Sequence, residues 1–112
     1  METDRVVLCG ASAYEEKFYL NESFLTLPES IKAELKIICV LYTQDIGGIL
    51  TLEFDESGSL CLQTEAETDD FSYDEIGSIL KIKELQREKE ELFQALEMYY
   101  RVIFLGEEVA NV

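Results

Sequence analysis

The most constraining feature of the sequence is a C-terminal stretch that favours one long helix. Ser72 and Glu75 have the spacing of a capping box, and Phe71 and Ile76 have that of a hydrophobic staple. No proline follows, and the first plausible stop is Gly106. The pattern predicts a helix of about 33 residues, or roughly 50 Å in length.

Apolar residues within this stretch follow alternating three- and four-residue steps, which is typical of a heptad seam. The seam comprises Ile82, Leu85, Leu92, Leu96, Tyr99 and Ile103, with Lys89 filling the one position that lacks an apolar residue. Since the middle of the helix is polar on most sides, we expect it to form a homodimer along this seam. The alternative is an amphipathic helix that wraps the core of a monomer, with Lys89 at its edge. A bend is expected near Gly77.

A central β-hairpin is predicted over residues 48–64. Its turn, Asp55-Glu56-Ser57-Gly58, has Asp in the first position and Gly in the fourth. Apolar residues alternate on both arms, and we expect a helix to cover them. They are Leu50, Leu52, Phe54, Leu60 and Leu62.

A first helix is predicted near Pro28 to Asp45, with Thr26 as its cap and Gly47 as its stop. Residues 37–42 are apolar all round and fit either a helix or a strand. The unbroken pattern from Pro28 favours a helix.

The N-terminal region is predicted to contain a short buried strand over Arg5 to Cys9. Ala13 to Leu20 is ambiguous, and the spacing of Tyr14 and Phe18 suggests one or two helical turns. The fold class is therefore α+β: a small antiparallel sheet containing the central hairpin, packed against the first helix and one long C-terminal helix. Residues 1–112 are expected to form one domain, with a frayed tail at 107–112.

The chain is strongly acidic, with 24 Asp and Glu against 9 Lys and Arg, a formal net charge of −15. Such a charge disfavours binding to nucleic acid and to anionic membranes. It suits a protein partner with a basic surface, although it also serves simply to keep a protein dispersed. The longest apolar run, Ile37 to Tyr42, is too short to cross a bilayer.

Catalytic and metal chemistry have little support in the sequence. There is no histidine, which removes the usual general base and most catalytic zinc sites. Cys9, Cys39 and Cys61 are far apart among apolar residues, so free, buried thiols in a reducing compartment are expected. The acidic turns do not match a calcium-binding loop. We therefore predict no enzymatic activity, no cofactor, no metal site and a cytoplasmic location.

Several segments, spread in order over most of the chain, resemble a family of short, acidic, uncharacterised bacterial proteins, a domain of unknown function. The matching segments are Val7-Leu8-Cys9-Gly10-Ala11, Cys39-Val40-Leu41-Tyr42-Thr43, Gly47-Gly48-Ile49-Leu50-Thr51-Leu52, Asp74-Glu75-Ile76-Gly77-Ser78, Leu80-Lys81-Ile82-Lys83 and Phe104-Leu105-Gly106. The resemblance implies a bacterial cytosolic protein. It transfers no activity, cofactor or site residue.

Three hypotheses for function follow. The first is a non-enzymatic binding or regulatory protein that self-associates through the long C-terminal helix. The second is a small-ligand sensor with a pocket between hairpin and helices, lined by Tyr14, Tyr19, Tyr42 or Tyr73. The third is an acidic antagonist of a basic partner, for example a nucleic-acid mimic.

Overall fold

The computed structural model of the protein describes residues 5–107. In chain order the elements are β1 (Val6–Ser12), β2 (Lys17–Leu20), a 3-10 turn (Glu22–Phe24), α1 (Glu29–Asp45), β3 (Ile49–Phe54), β4 (Leu60–Glu65), α2 (Glu75–Glu88) and α3 (Glu90–Ile103). The strands form one four-stranded sheet in the order β2-β1-β3-β4, and every neighbouring pair is antiparallel. The α+β class is therefore confirmed.

The predicted central hairpin is confirmed as β3 and β4. A carboxylate oxygen of Asp55 accepts the backbone N–H groups of Ser57 and Ser59, so the turn is closed by its own first residue. Gly58 has a φ of +89°, which an L side chain rarely adopts. The inward residues of β3 are fully buried, while Leu60 and Leu62 are partly buried against the same core.

The helical turns suggested for Ala13 to Leu20 are wrong. Lys17–Leu20 is strand β2, which pairs with β1 in the register Ser12↔Lys17. The chain reverses at Glu16, a non-glycine residue with a φ of +54°. Pairing with β1 satisfies the backbone hydrogen bonds of this segment, and that outweighs the helical spacing of two aromatic residues.

The first helix is confirmed, and residues 37–42 are helical within it. Its buried face, which includes Leu35, Ile38 and Tyr42, belongs to the core. The predicted cap is wrong because Pro28 takes the cap position without a side-chain hydrogen bond. The hydroxyl of Thr26 instead lies 3.2 Å from the phenol oxygen of Tyr99.

The single long C-terminal helix is also wrong, because the chain breaks at Lys89 into α2 and α3. Lys89 has φ −109° and ψ +24°, outside the helical range, and its ammonium group donates to a carboxylate oxygen of Glu34 at 3.0 Å. The break lies at this polar position rather than near Gly77. It lets α3 reach the edge strand β4, where Glu97 accepts the backbone N–H of Leu60 at 2.7 Å.

The start of α2 also differs from the prediction. Asp74 is the cap, and its carboxylate accepts the N–H of Gly77 at 2.9 Å. Ser72 is not the cap, since its hydroxyl donates to Asp70. The hydrophobic staple does not form either, because Phe71 and Ile76 are exposed to solvent. Of the tail predicted at 107–112, residues 108–112 lie outside the described part of the chain.

An aromatic cluster joins the sheet to the end of α3. The rings of Phe54 and Tyr100 are stacked with centroids 4.2 Å apart, and Phe24 lies 5.8 Å from Phe54. Phe104 stacks on both Phe24 and Tyr100, at 4.9 and 5.0 Å. Phe24, from the short 3-10 turn, is fully buried at the centre of this cluster.

We expect Phe24→Ala to lower the free energy of unfolding by about 3–5 kcal/mol, because it opens a cavity among packed rings. Chemical denaturation at an unchanged m-value measures this loss. Phe71→Ala removes the same atoms from a side chain that is 93 % exposed, and should leave stability unchanged. Equal effects of the two substitutions would contradict the assigned core.

Candidate interaction surface on the second helix

The inner side of α2 is held against α1 by three hydroxyl groups. Ser78 is 3 % exposed, and its hydroxyl lies 2.7 Å from the phenol oxygen of Tyr42 and 2.8 Å from that of Tyr73. The two phenol oxygens are 3.1 Å apart. Burial raises the pKa of Tyr42 above its ordinary value, so this phenol stays neutral. The network fixes which side of α2 faces the core.

Two ion pairs across the helices keep the same orientation. Lys81 lies 3.8 Å from the carboxylate of Asp45, and Lys89 lies 3.0 Å from that of Glu34. Their side chains are partly exposed, so each pair contributes little free energy. Together they show that α2 runs antiparallel to α1.

The predicted seam lies mostly against the protein's own core. Leu85 and Leu96 are buried there, whereas Ile82, Leu92 and Tyr99 are partly buried against it. Lys89 pairs with Glu34, and Ile103 is exposed. Whether two copies also meet along this seam stays a prediction.

Phe93 and Tyr100 are core residues that the seam did not include, with exposures of 7 % and 4 %. Each follows a seam residue by one position. The buried residues of α3 are Phe93, Leu96 and Tyr100, so its buried face shares Leu96 with the seam and extends to one side of it. The heptad spacing alone did not indicate this extension.

The opposite side of α2 carries apolar residues that no described residue covers. Ile76, Ile79 and Leu80 are 73, 58 and 63 % exposed. Together with Lys83 and Arg87 they stand at i, i+3, i+4, i+7 and i+11, which places them on one helix face. We call these five residues the outer α2 face.

Charge is unevenly distributed along this face. Asp74 and Glu75 lie at its N-terminal end, whereas Lys83 and Arg87 occupy its C-terminal half. Within residues 5–107, neither of these two cations forms an ion pair. The face therefore has a negative end, an apolar middle and a positive end.

Tyr14 holds in place the acidic segment that precedes α2, residues 65–70. Its phenol donates to a carboxylate oxygen of Asp70 at 2.6 Å and accepts the backbone N–H of Glu67 at 3.0 Å. Hydrogen bonds from Tyr14 and then from Ser72 lower the pKa of Asp70 below its ordinary value. The same hydrogen bond to Asp70 raises the pKa of Tyr14.

Other chemical centres are sparse in the described region. Residues 5–107 contain no cluster of three or more Cys, Asp or Glu residues placed to hold a metal ion. None of the helices between these limits has the length and apolar character needed to cross a membrane.

Cys9 and Cys39 are free and buried, with sulfur atoms 3.8 Å apart, and Cys61 is half-buried. The hydrogen bond with Cys39 and burial both raise the pKa of Cys9, so this thiol is a poor nucleophile.

The four tyrosines suggested for a ligand pocket do not all meet. Tyr42 and Tyr73 touch each other through their hydroxyl groups. Tyr14 contacts the acidic segment, and Tyr19 is 56 % exposed on β2. The pair that does meet serves to anchor α2.

The hydrogen bond between Tyr14 and Asp70 predicts a pH-dependent contribution to stability. The folded pKa of Asp70 lies below its unfolded value, so its contribution is present at neutral pH and is lost as pH falls through the folded pKa. We expect Asp70→Asn to lower the melting temperature at neutral pH and to show a smaller further loss below about pH 4. Glu56→Gln, an exposed carboxylate in the hairpin turn, is the control. Parallel melting curves for wild type and Asp70→Asn at every pH would contradict this role.

Comparison with known proteins, like the sequence resemblance, identifies a family of unknown function. Residues 5–108 match the model of one family, whose description is Family of unknown function (DUF6145). No curated protein and no solved structure gives a significant match. The family match extends from the first residue of the described fold to the end of the C-terminal helices, and the chain therefore belongs to this family of unknown function.

Proposed function

We propose that the protein is a non-enzymatic binding or regulatory protein that self-associates as a homodimer through its C-terminal helical segment. The observation that carries the proposal is the outer α2 face, a row of exposed apolar residues on a regular helix. Exposed apolar rows with a charged border are typical of protein interfaces. The absence of histidine from the sequence supports a role other than acid–base catalysis.

A second copy of the same helix has the complementary charge pattern. In an antiparallel pair that crosses near Ile79 and Leu80, the acidic end of one helix lies beside the basic half of the other. Asp74 and Glu75 of each copy then approach Lys83 and Arg87 of the other copy. Such a contact is isologous and closed, which is the commonest arrangement in homodimers.

The size of this face predicts a weak dimer. α2 has 14 residues and is about 21 Å long at 1.5 Å per residue. A single pair of such helices buries less area than the roughly 1,600 Å² of a standard stable interface. We therefore expect an equilibrium between monomer and dimer that shifts with concentration and with salt.

Self-association through the outer α2 face is compatible with the packing of the monomer's core. The seam residues Leu85 and Leu96 are already buried in the protomer. Pairing along the seam would require these side chains to leave the core. Pairing along the outer face requires no rearrangement, so we favour it.

The cellular setting that we propose is the cytoplasm. Two of the three cysteines are buried as free thiols, and the third is half-buried. Thiols that persist unpaired fit a reducing compartment.

We expect Leu80→Asp to raise the dissociation constant of the dimer by about tenfold or more, because it places a charge at the apolar centre of the contact. Sedimentation equilibrium over a range of concentrations measures the constant, and circular dichroism confirms that the variant is folded. Leu41→Asp adds the same charge at a side chain of α1 that is 55 % exposed, and should leave the constant unchanged.

The seam is tested by Leu92→Asp in the same experiment. Our proposal predicts that this variant loses stability, because Leu92 packs against the core. A folded Leu92→Asp monomer, beside a Leu80→Asp variant that still dimerises, would favour the seam and contradict the outer face.

A charge exchange tests the antiparallel arrangement. Lys83→Glu should weaken the dimer, and Glu75→Lys added to it should restore part of the affinity, since the two positions face each other between copies. Both effects should shrink at high salt. Additive losses from the two substitutions would contradict the antiparallel pairing.

A further inference from the structure

A cleft of about 710 Å³ opens between α1 and the connection from β1 to β2, away from the outer α2 face. Its volume lies within the range of small-molecule sites. One wall is a face of α1, where Lys36, Val40 and Thr43 follow at i, i+4 and i+7. The other wall comes from the end of β1 and the start of β2.

Small side chains create the hollow in this second wall. Ala11 and Ala13 leave space at the end of β1, and the half-buried ring of Phe18 lines the cleft beside them. Val40 faces them from α1. These four residues form an apolar part of the cleft, and polar and charged side chains make up the rest of its lining.

Two lysines from different elements line the same cleft. Lys17 starts β2 and Lys36 lies on α1, and neither has a carboxylate within ion-pair distance among residues 5–107. Glu16 is the single carboxylate of the described lining. The cleft thus carries two positive charges against one negative charge, in a protein whose net charge is −15.

The negative groups around the cleft also affect which ligand charge it favours. Thr43 and Gln44 belong to the last turn of α1, which contains no basic residue. The helix C-terminus carries a partial negative charge, and Glu16 adds another negative charge nearby. Two ammonium groups set against these negative charges leave a small net positive charge, which favours a singly charged carboxylate over a doubly charged phosphate.

We propose that this cleft binds a small amphipathic monocarboxylate. Its carboxylate contacts Lys17 and Lys36, and its apolar portion packs against Phe18 and Val40. This site goes beyond self-association and does not depend on it, because none of its lining residues belongs to the outer α2 face.

The test is a titration of isotope-labelled protein with octanoate, followed by the amide NMR signals of Ala13, Phe18 and Val40. We expect saturable shifts at these residues, and about tenfold weaker binding of octanamide, which has the same chain without the charge. Lys36→Met and Lys17→Met should each weaken octanoate binding several-fold. Lys83→Met removes an exposed lysine of α2 and should leave it unchanged.

Three outcomes would overturn the proposal. They are the absence of saturable shifts at the cleft, equal binding of octanoate and octanamide, and tighter binding of inorganic phosphate than of octanoate. The exposed positions of Lys17 and Lys36 allow both variants to fold, and their NMR spectra report this directly. The Leu80→Asp variant should bind octanoate as the wild type does, which separates this site from the dimer.

Discussion

Burial of one apolar face of the sheet determines where every helix lies. Leu50, Leu52 and Phe54 alternate along β3 and are fully removed from water. At about 1.5–3 kcal/mol for each such side chain, their burial is among the largest single contributions in a domain of this size. β3 lies in the interior of the sheet, so helices must cover it from one side. α1 covers it with its buried face, and α3 covers it through ring stacking of Tyr100 on Phe54.

The break at Lys89 allows the C-terminal helices to cover this apolar face of the sheet. A straight helix that continued along α1 would carry its last turns past the sheet. The break redirects α3 toward β4, and Phe93 and Tyr100 of this helix pack into the core. α2 has little sheet left to cover, so it keeps only a narrow buried side around Ser78 and Leu85. Ile76, Ile79 and Leu80 therefore face outward, and this is the face through which we propose that two copies associate.

Local chemistry made part of the fold predictable. The central hairpin follows from its Asp-to-Gly turn and its alternating apolar residues, and α1 follows from its helical period. Strand β2 could not be predicted, because it depends on pairing with β1 and on a reversal at Glu16 without glycine. The division of the C-terminal helix has no glycine or proline to signal it. It depends on the position of the sheet, which the local sequence does not contain.

The candidate surfaces were predictable to a lesser degree. Seven seam residues could be chosen from their heptad spacing, but the same spacing also describes residues that pack on a core. Ile79 and Leu80 gained their significance only when the structure showed them uncovered. The cleft beside Lys17 and Lys36 joins residues from β2 and α1, and no motif connects them in the chain.

The most direct test of self-association through the outer α2 face is disulfide cross-linking in a Cys61→Ser background. Leu80→Cys places a thiol near the expected twofold axis, where two copies of the residue come close enough to bond. We predict rapid formation of a covalent dimer on mild oxidation, with none from Leu41→Cys at equal concentration. Slow cross-linking at position 80, no faster than at position 41, or efficient cross-linking from Leu92→Cys instead, would contradict the proposed interface.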